Sequence, residues 1–214
     1  MSEPARDLGA LLRHPRIWRG AAAEAPEGAA TGWAELDAAL PGRGWPVGAL
    51  SELLVQRSGI GELSLLMPAC RRLCESGRHI AMVAPPYLPY APALQAHGVH
   101  LERLLVVRPR SEDAGWAAEQ CLRSGAVAAT VLWLEFADAN VLRRLQLAAE
   151  QGRSVGWLFR PQAALRQSSL AALRAGLSEH DDHLVVEILK CRGRAGARIR
   201  LPRRETLMGV CDAG

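Results

Sequence analysis

Residues Val55-Gln56-Arg57-Ser58-Gly59-Ile60-Gly61-Glu62-Leu63 have the layout of a phosphate-binding loop without its chemistry. A working loop of this kind places Lys and then Ser or Thr after its last glycine. The ammonium meets the β- and γ-phosphates, and the hydroxyl holds magnesium. Here Glu62 and Leu63 stand in those two places, and the chain's single lysine, Lys190, lies far downstream. Setting a carboxylate where an ammonium should be exchanges an attraction for a repulsion of roughly 1–4 kcal/mol at about 4 Å. Leucine offers no oxygen to a metal. Ser58, Gly59, Gly61, Glu62 and Leu63 therefore mark a degenerate loop. We expect no ATP hydrolysis, no nucleotide cofactor and no resident metal.

The elements that would position this loop alternate in type. Apolar runs at 49–55, 79–84, 104–107, 127–134, 154–159, 184–191 and 197–201 read as strands. Helical spacing covers 8–18, 62–76, 91–97, 112–124, 140–151 and 165–176. Pro68 should kink the second of these helices, and Gly77 suits its C-cap. Near-continuous apolar strands between helices predict a mostly parallel, twisted α/β sheet with helices on both faces. Gly193-Arg194-Ala195-Gly196 predicts a C-terminal antiparallel hairpin. Residues 1–30 read as an N-terminal helix and linker, 31–202 as one domain, and 203–214 as a flexible tail.

Composition narrows the function classes. The chain has 214 residues, 49% of them hydrophobic, and a net charge of +4 carried almost wholly by arginine. That excess does not by itself imply nucleic acid. No run of apolar residues is long enough to span a bilayer, and no signal peptide is evident, so a cytoplasmic protein without membrane contact is expected. Cys70, Cys74, Cys121, Cys191 and Cys211 form no C-x-x-C pair and read as free thiols of a reducing compartment. The His-rich turn at 179–183 reads as a solvated loop.

Two features are candidates for binding. Lys190, Arg192, Arg194, Arg198, Arg200, Arg203 and Arg204 form the densest basic stretch, suited to phosphates or an acidic partner, or to guarding a sheet edge. Trp18, beside the first helix, is a candidate partner contact.

Thr31-Gly32-x-x-x-Leu36-Asp37-x-x-Leu40, with Gly44-Trp45-Pro46-x-Gly48-x-Leu50-x-Glu52 after it, resembles the opening of the RecA core. The likeness continues through Gly77 to Ala81, Leu94 to Leu104 and Ser124 to Val127. His14-Pro15-x-x-Trp18-Arg19-Gly20 and the block from Leu40 to Leu54 are similar to the ImuA group, relatives of both RecA and the SulA division inhibitors. That resemblance implies a RecA-like core and a non-catalytic scaffold of error-prone translesion DNA synthesis in the DNA-damage (SOS) response. Its implied partners are an inactive Y-family polymerase relative (ImuB) and, through it, an error-prone C-family polymerase, with RecA as a further candidate and direct DNA contact open. Residues 160–174 fall where RecA carries a DNA-binding loop, but their Leu/Ala spacing predicts a packed helix. Glu135 falls at the metal-binding acidic position, and Ala84-Pro85-Pro86 lacks the acid that activates water. An alternative is a SulA-like inhibitor that blocks polymerisation of the tubulin-like division ring protein, against which the length and N-terminal extension stand. A DNA-dependent ATPase is least supported, because of Glu62 and Leu63.

Overall fold

A computed structural model describes residues 27–191 and 196–202. The helix expected at 8–18, Trp18, Arg192, Arg194, Arg203, Arg204 and Cys211 lie outside the described residues.

The described chain opens with strand β1 (Gly28–Ala29), helix α1 (Ala34–Ala39) and β2 (Trp45–Pro46), which pairs back on β1. There follow β3 (Ala49–Val55), α2 (Met67–Glu75), β4 (His79–Val83), α3 (Ala91–Ala96), β5 (Leu104–Val107), α4 (Ala114–Arg123), β6 (Val127–Trp133), α5 (Ala139–Gly152) and β7 (Val155–Pro161). The last strands are β8 (Leu173–His180), β9 (His183–Lys190) and β10 (Arg198–Pro202). The main sheet has eight strands in the order β10-β9-β8-β3-β7-β6-β4-β5. Strands β3 to β8 pair in parallel, and β9 and β10 add antiparallel ladders at one edge. The expected mixed α/β sheet and C-terminal hairpin are therefore present.

Burial explains the strand sequences. β3 reads ALSELLV and its first six residues are buried, as a central parallel strand covered on both faces requires. On one face Leu53, Met82, Val131, Trp157 and Val186 pack with α1 and α2. On the other, Leu50, Val83, Leu132 and Leu158 meet Ala118 and Leu122 of α4 and Leu142 and Leu145 of α5. Helix α5 is capped by Asp138, whose side chain accepts the Val141 amide at 2.8 Å. Near its other end Gly152 approaches α4 so closely that a Cβ would lie 1.9 Å from the Leu122 carbonyl oxygen.

Two expected helices are corrected. The helix after the degenerate loop starts at Met67, not near 62, so Pro68 sits in its first turn, where no amide is lost, and does not kink it. Residues 165–176 are not a helix. A 3-10 turn covers Gln162–Arg166, and β8 begins at Leu173. Leu173, Ala175 and Leu177 alternate into the core, a period of two that the Leu/Ala-rich sequence disguises as a helical one.

A buried ion triad decides the local geometry. Glu52, at the middle of β3, is fully buried. Its Oε1 accepts Arg160 Nη1 of β7 at 2.8 Å. Its Oε2 lies 2.7 Å from Arg174 Nε of β8, an ionic contact outside hydrogen-bond geometry. The two guanidinium groups then collect the β7–β8 connection. Arg160 also donates to the Gln167 side chain at 2.7 Å and to the Ala137 carbonyl at 3.4 Å. Arg174 donates to the carbonyls of Ala164, Leu165 and Gln167. These bonds hold the carbonyls in a loop rather than in helical i→i+4 pairs.

Breaking a buried pair costs about 3–5 kcal/mol, because the partner charge is stranded. We expect Glu52→Gln to lower unfolding free energy by about that amount in urea titration. The combined change of Glu52, Arg160 and Arg174 to Leu, Met and Met should recover most of the loss.

Candidate functional site

The degenerate loop leaves the carboxyl end of β3, the central strand, where ligands of open α/β sheets bind. Gly59 and Gly61 take left-handed φ values of 86° and 89°. Such angles suit glycine and leave the chain room to fold back on itself. Glu62 then turns inward: the Gly59 amide donates to both of its carboxylate oxygens, at 3.1 Å each. Ile60, Glu62 and Leu63 are all buried, and Ile60 and Leu63 belong to the main core. The residue at the lysine position thus satisfies an amide of the loop with the chain's own carboxylate. The residue at the hydroxyl position is a core hydrocarbon.

Above this loop lies a cleft of about 530 Å³, lined by Val55, Ser58, Pro86, Trp133, Phe159 and Arg160, among others. Trp133 and Phe159 stack in its wall with centroids 5.4 Å apart. Glu135 lines the cleft too, but it is exposed. Among the described residues no group of three or more His, Cys, Asp or Glu is placed to hold a metal. The thiols of Cys70, Cys74 and Cys121 are poor nucleophiles. Burial, then the neighbouring Cys74, pushes the Cys70 thiol far above its ordinary range, and burial raises Cys74 and Cys121 as well.

Large apolar side chains crowd the rim. Phe136 is 85% exposed, Leu88 68% and Tyr87 63%, all on loops that leave the carboxyl ends of β6 and β4. Trp116, in the first turn of α4, is 59% exposed, and Leu165 stands out from the β7–β8 connection. Of these, Phe136 lines the cleft itself, and Tyr87 and Leu88 follow Pro86 of its wall. Sequence reading did not single out this rim. The signal was available in Pro85-Pro86-Tyr87-Leu88-Pro89-Tyr90, a loop too apolar for free solvent.

The basic stretch is brought together only in part. Lys190, Arg198 and Arg200 lie on the C-terminal hairpin and are exposed. Each already has a local neighbour. Lys190 donates to the Ser169 carbonyl at 2.8 Å, Arg198 stands in register with Glu187, and Arg200 lies 3.7 Å from Asp181. Of the tryptophans, Trp33, Trp45 and Trp157 are core residues.

Among the proteins this chain resembles are division inhibitors. It is 38% identical over 103 residues to the cell division inhibitor SulA of Edwardsiella piscicida, covering 47% of this chain and 61% of that protein. It is 28% identical over 114 residues to SulA of Photorhabdus laumondii subsp. laumondii, covering 53% and 64%. The chain thus spans less than two thirds of the length of these curated relatives. The crystal structure of SulA from Pseudomonas aeruginosa matches 52% of this chain and 97% of that one, at 28% identity and a TM-score of 0.45. No family model matches.

The two curated relatives correct the likeness to the ImuA group, since both are SulA proteins. The implied partners fall with it: ImuB, the C-family polymerase and RecA have no support, nor does a role in translesion synthesis or mutagenesis. The relatives back the division-inhibitor alternative instead, and the match covers only about half of this chain. No described helix is long and apolar enough to cross a membrane.

The clasped loop sets a clear expectation for nucleotide. Calorimetry with ATP and magnesium should give no saturable heat, and phosphate release should stay at the buffer rate. Changing Glu62 to Lys would bury an ammonium beneath the Gly59 amide with no acceptor. It should lower stability by about 2–5 kcal/mol without creating turnover.

Proposed function

We propose that this chain is a cell-division inhibitor of the SulA kind, deployed in the SOS response to DNA damage. It acts without catalysis, by binding the tubulin-like ring protein and blocking its polymerisation. The observation that carries this reading is the 38% identity over 103 residues to SulA of Edwardsiella piscicida. The site chemistry agrees with it. A loop closed by its own Glu62 has no use for nucleotide, whereas an apolar cleft rimmed by Phe136, Tyr87 and Leu88 suits a protein partner.

In the same reading the core is RecA-like. The strand that carries the degenerate loop is central, and the loop opens at the carboxyl edge of a parallel sheet. The fold of a nucleotide-driven protein then serves as a rigid frame for protein contact.

The test uses the purified chain with purified ring protein. Light scattering should show polymerisation suppressed near stoichiometric ratio, and expression in cells should cause filamentation. Phe136→Ser should weaken binding about 30-fold, the effect of losing an aromatic anchor worth about 2 kcal/mol. Unchanged polymerisation at excess inhibitor would refute the proposal.

A further inference from the structure

The cleft above the degenerate loop holds a charge that nothing offsets. Glu135 stands two residues beyond β6, lines the cleft and is exposed. Among the described residues its carboxylate has no hydrogen-bond or ionic partner. The two arginines of the cleft wall do not neutralise it. Arg160 is fully buried and faces Glu52 at 2.8 Å. Arg57 is taken by Glu179, 2.7 Å away. A further side of the cleft adds acid. Ser111 lines it, and the exposed Glu112 and Asp113 complete the same 3-10 turn. Arg110, exposed just before them, offsets one of these charges.

Aromatic rings flank the same carboxylate. Trp133 is half-buried in the wall, and Phe159 stacks on one side of its indole with an interplanar angle of 26°. Phe136 lines the cleft as well and is largely exposed. The face of an aromatic ring is negative, because of its quadrupole, and it attracts a cation held within about 6 Å of the ring centre. Trp133, Glu135 and Phe136 therefore favour one sign of ligand. An anion would meet a carboxylate and ring faces of its own sign. A neutral apolar side chain would strip water from Glu135 and return nothing to it.

We propose that this cleft is a receptor for an arginine side chain of the protein partner, an inference that rests on the reading of the chain as an inhibitor that binds the ring protein. A guanidinium is planar, so one group can lie against an aromatic ring and present its fork of donors to a carboxylate. It is also weakly hydrated, so it enters a half-enclosed cleft more readily than an ammonium does. Lysine carries a compact, strongly hydrated charge and has no flat face to stack. In the complex the guanidinium donates to Glu135 while its face meets the rings of Trp133 and Phe136. Apolar residues beside that arginine then cover Tyr87 and Leu88 on the rim.

Two measurements on the full chain test this. In the first, N-acetyl-arginine amide and its neutral counterpart, N-acetyl-citrulline amide, are titrated into isotope-labelled protein while the Trp133 indole N–H signal is followed. We expect the arginine compound to shift that signal saturably at roughly millimolar concentration, with about a tenfold loss of affinity on Glu135→Gln. The citrulline compound should leave it unmoved. In the second, affinity for purified ring protein is measured. Glu135→Gln should weaken it about tenfold. Phe136→Leu, which keeps apolar bulk without a ring face, should weaken it too, whereas Phe136→Tyr should not. Both positions are exposed, so these variants keep the fold. A Trp133 signal indifferent to the arginine compound would overturn the proposal, as would equal binding of the citrulline compound. If ring protein binds the original chain and Glu135→Gln alike, the inhibitor reading stands and the arginine site falls. If ring protein does not bind at all, the inhibitor reading falls, and the arginine titration decides the site: saturation upholds it and a blank overturns it.

Discussion

One buried carboxylate organises the centre of this protein. Glu52 lies in the middle strand and faces two guanidinium groups from the strands on either side. Two cations against one anion leave a net positive charge with no access to water, a costly arrangement unless every donor finds an acceptor. The β7–β8 connection supplies those acceptors, through the carbonyls of Ala164, Leu165 and Gln167 and the Gln167 side chain. Two donors are exceptions: Arg160 Nε has no hydrogen-bond partner, and Arg174 Nε has only its ionic contact with Glu52. Apolar residues could fill the same volume at equal or lower cost, so the triad adds geometry more than stability. It locks β7, β3 and β8 side by side and draws the connection between them into a fixed loop. Arg160 is also part of the cleft wall, so the same constraint shapes the surface above it.

A second buried acid, Glu62, settles what that surface can do. Its carboxylate holds the Gly59 amide, so the loop is closed from within. A nucleotide would have to displace a covalently tethered anion whose effective concentration is far higher than that of any solute. Glu62 is therefore part of the interior, beside Ile60 and Leu63 of the core, and the cleft above the loop is lined by Trp133, Phe159 and Phe136.

Much of this was legible in the sequence, because the signals were local. The run from Ala49 to Val55 matches β3 residue for residue, and α5 differs by one residue at each end from its periodicity. That Glu62 and Leu63 turn into the interior, by contrast, was not readable from their types. What was hidden depends on long-range partners. Arg174 looked like one more polar residue on a helix, since nothing nearby reveals that Glu52, over a hundred residues earlier, claims it. Without that pairing, β8 and its hairpin with β9 cannot be told from a helix followed by a loop. The exposed rim was hidden for a similar reason. Phe136 stands just beyond a strongly apolar strand, and no neighbouring residue says that its ring faces solvent. The ImuA likeness failed differently: of the two blocks that carried it, His14 to Gly20 lies outside the described residues, and Leu40 to Leu54 is largely buried, where residues report fold rather than partner.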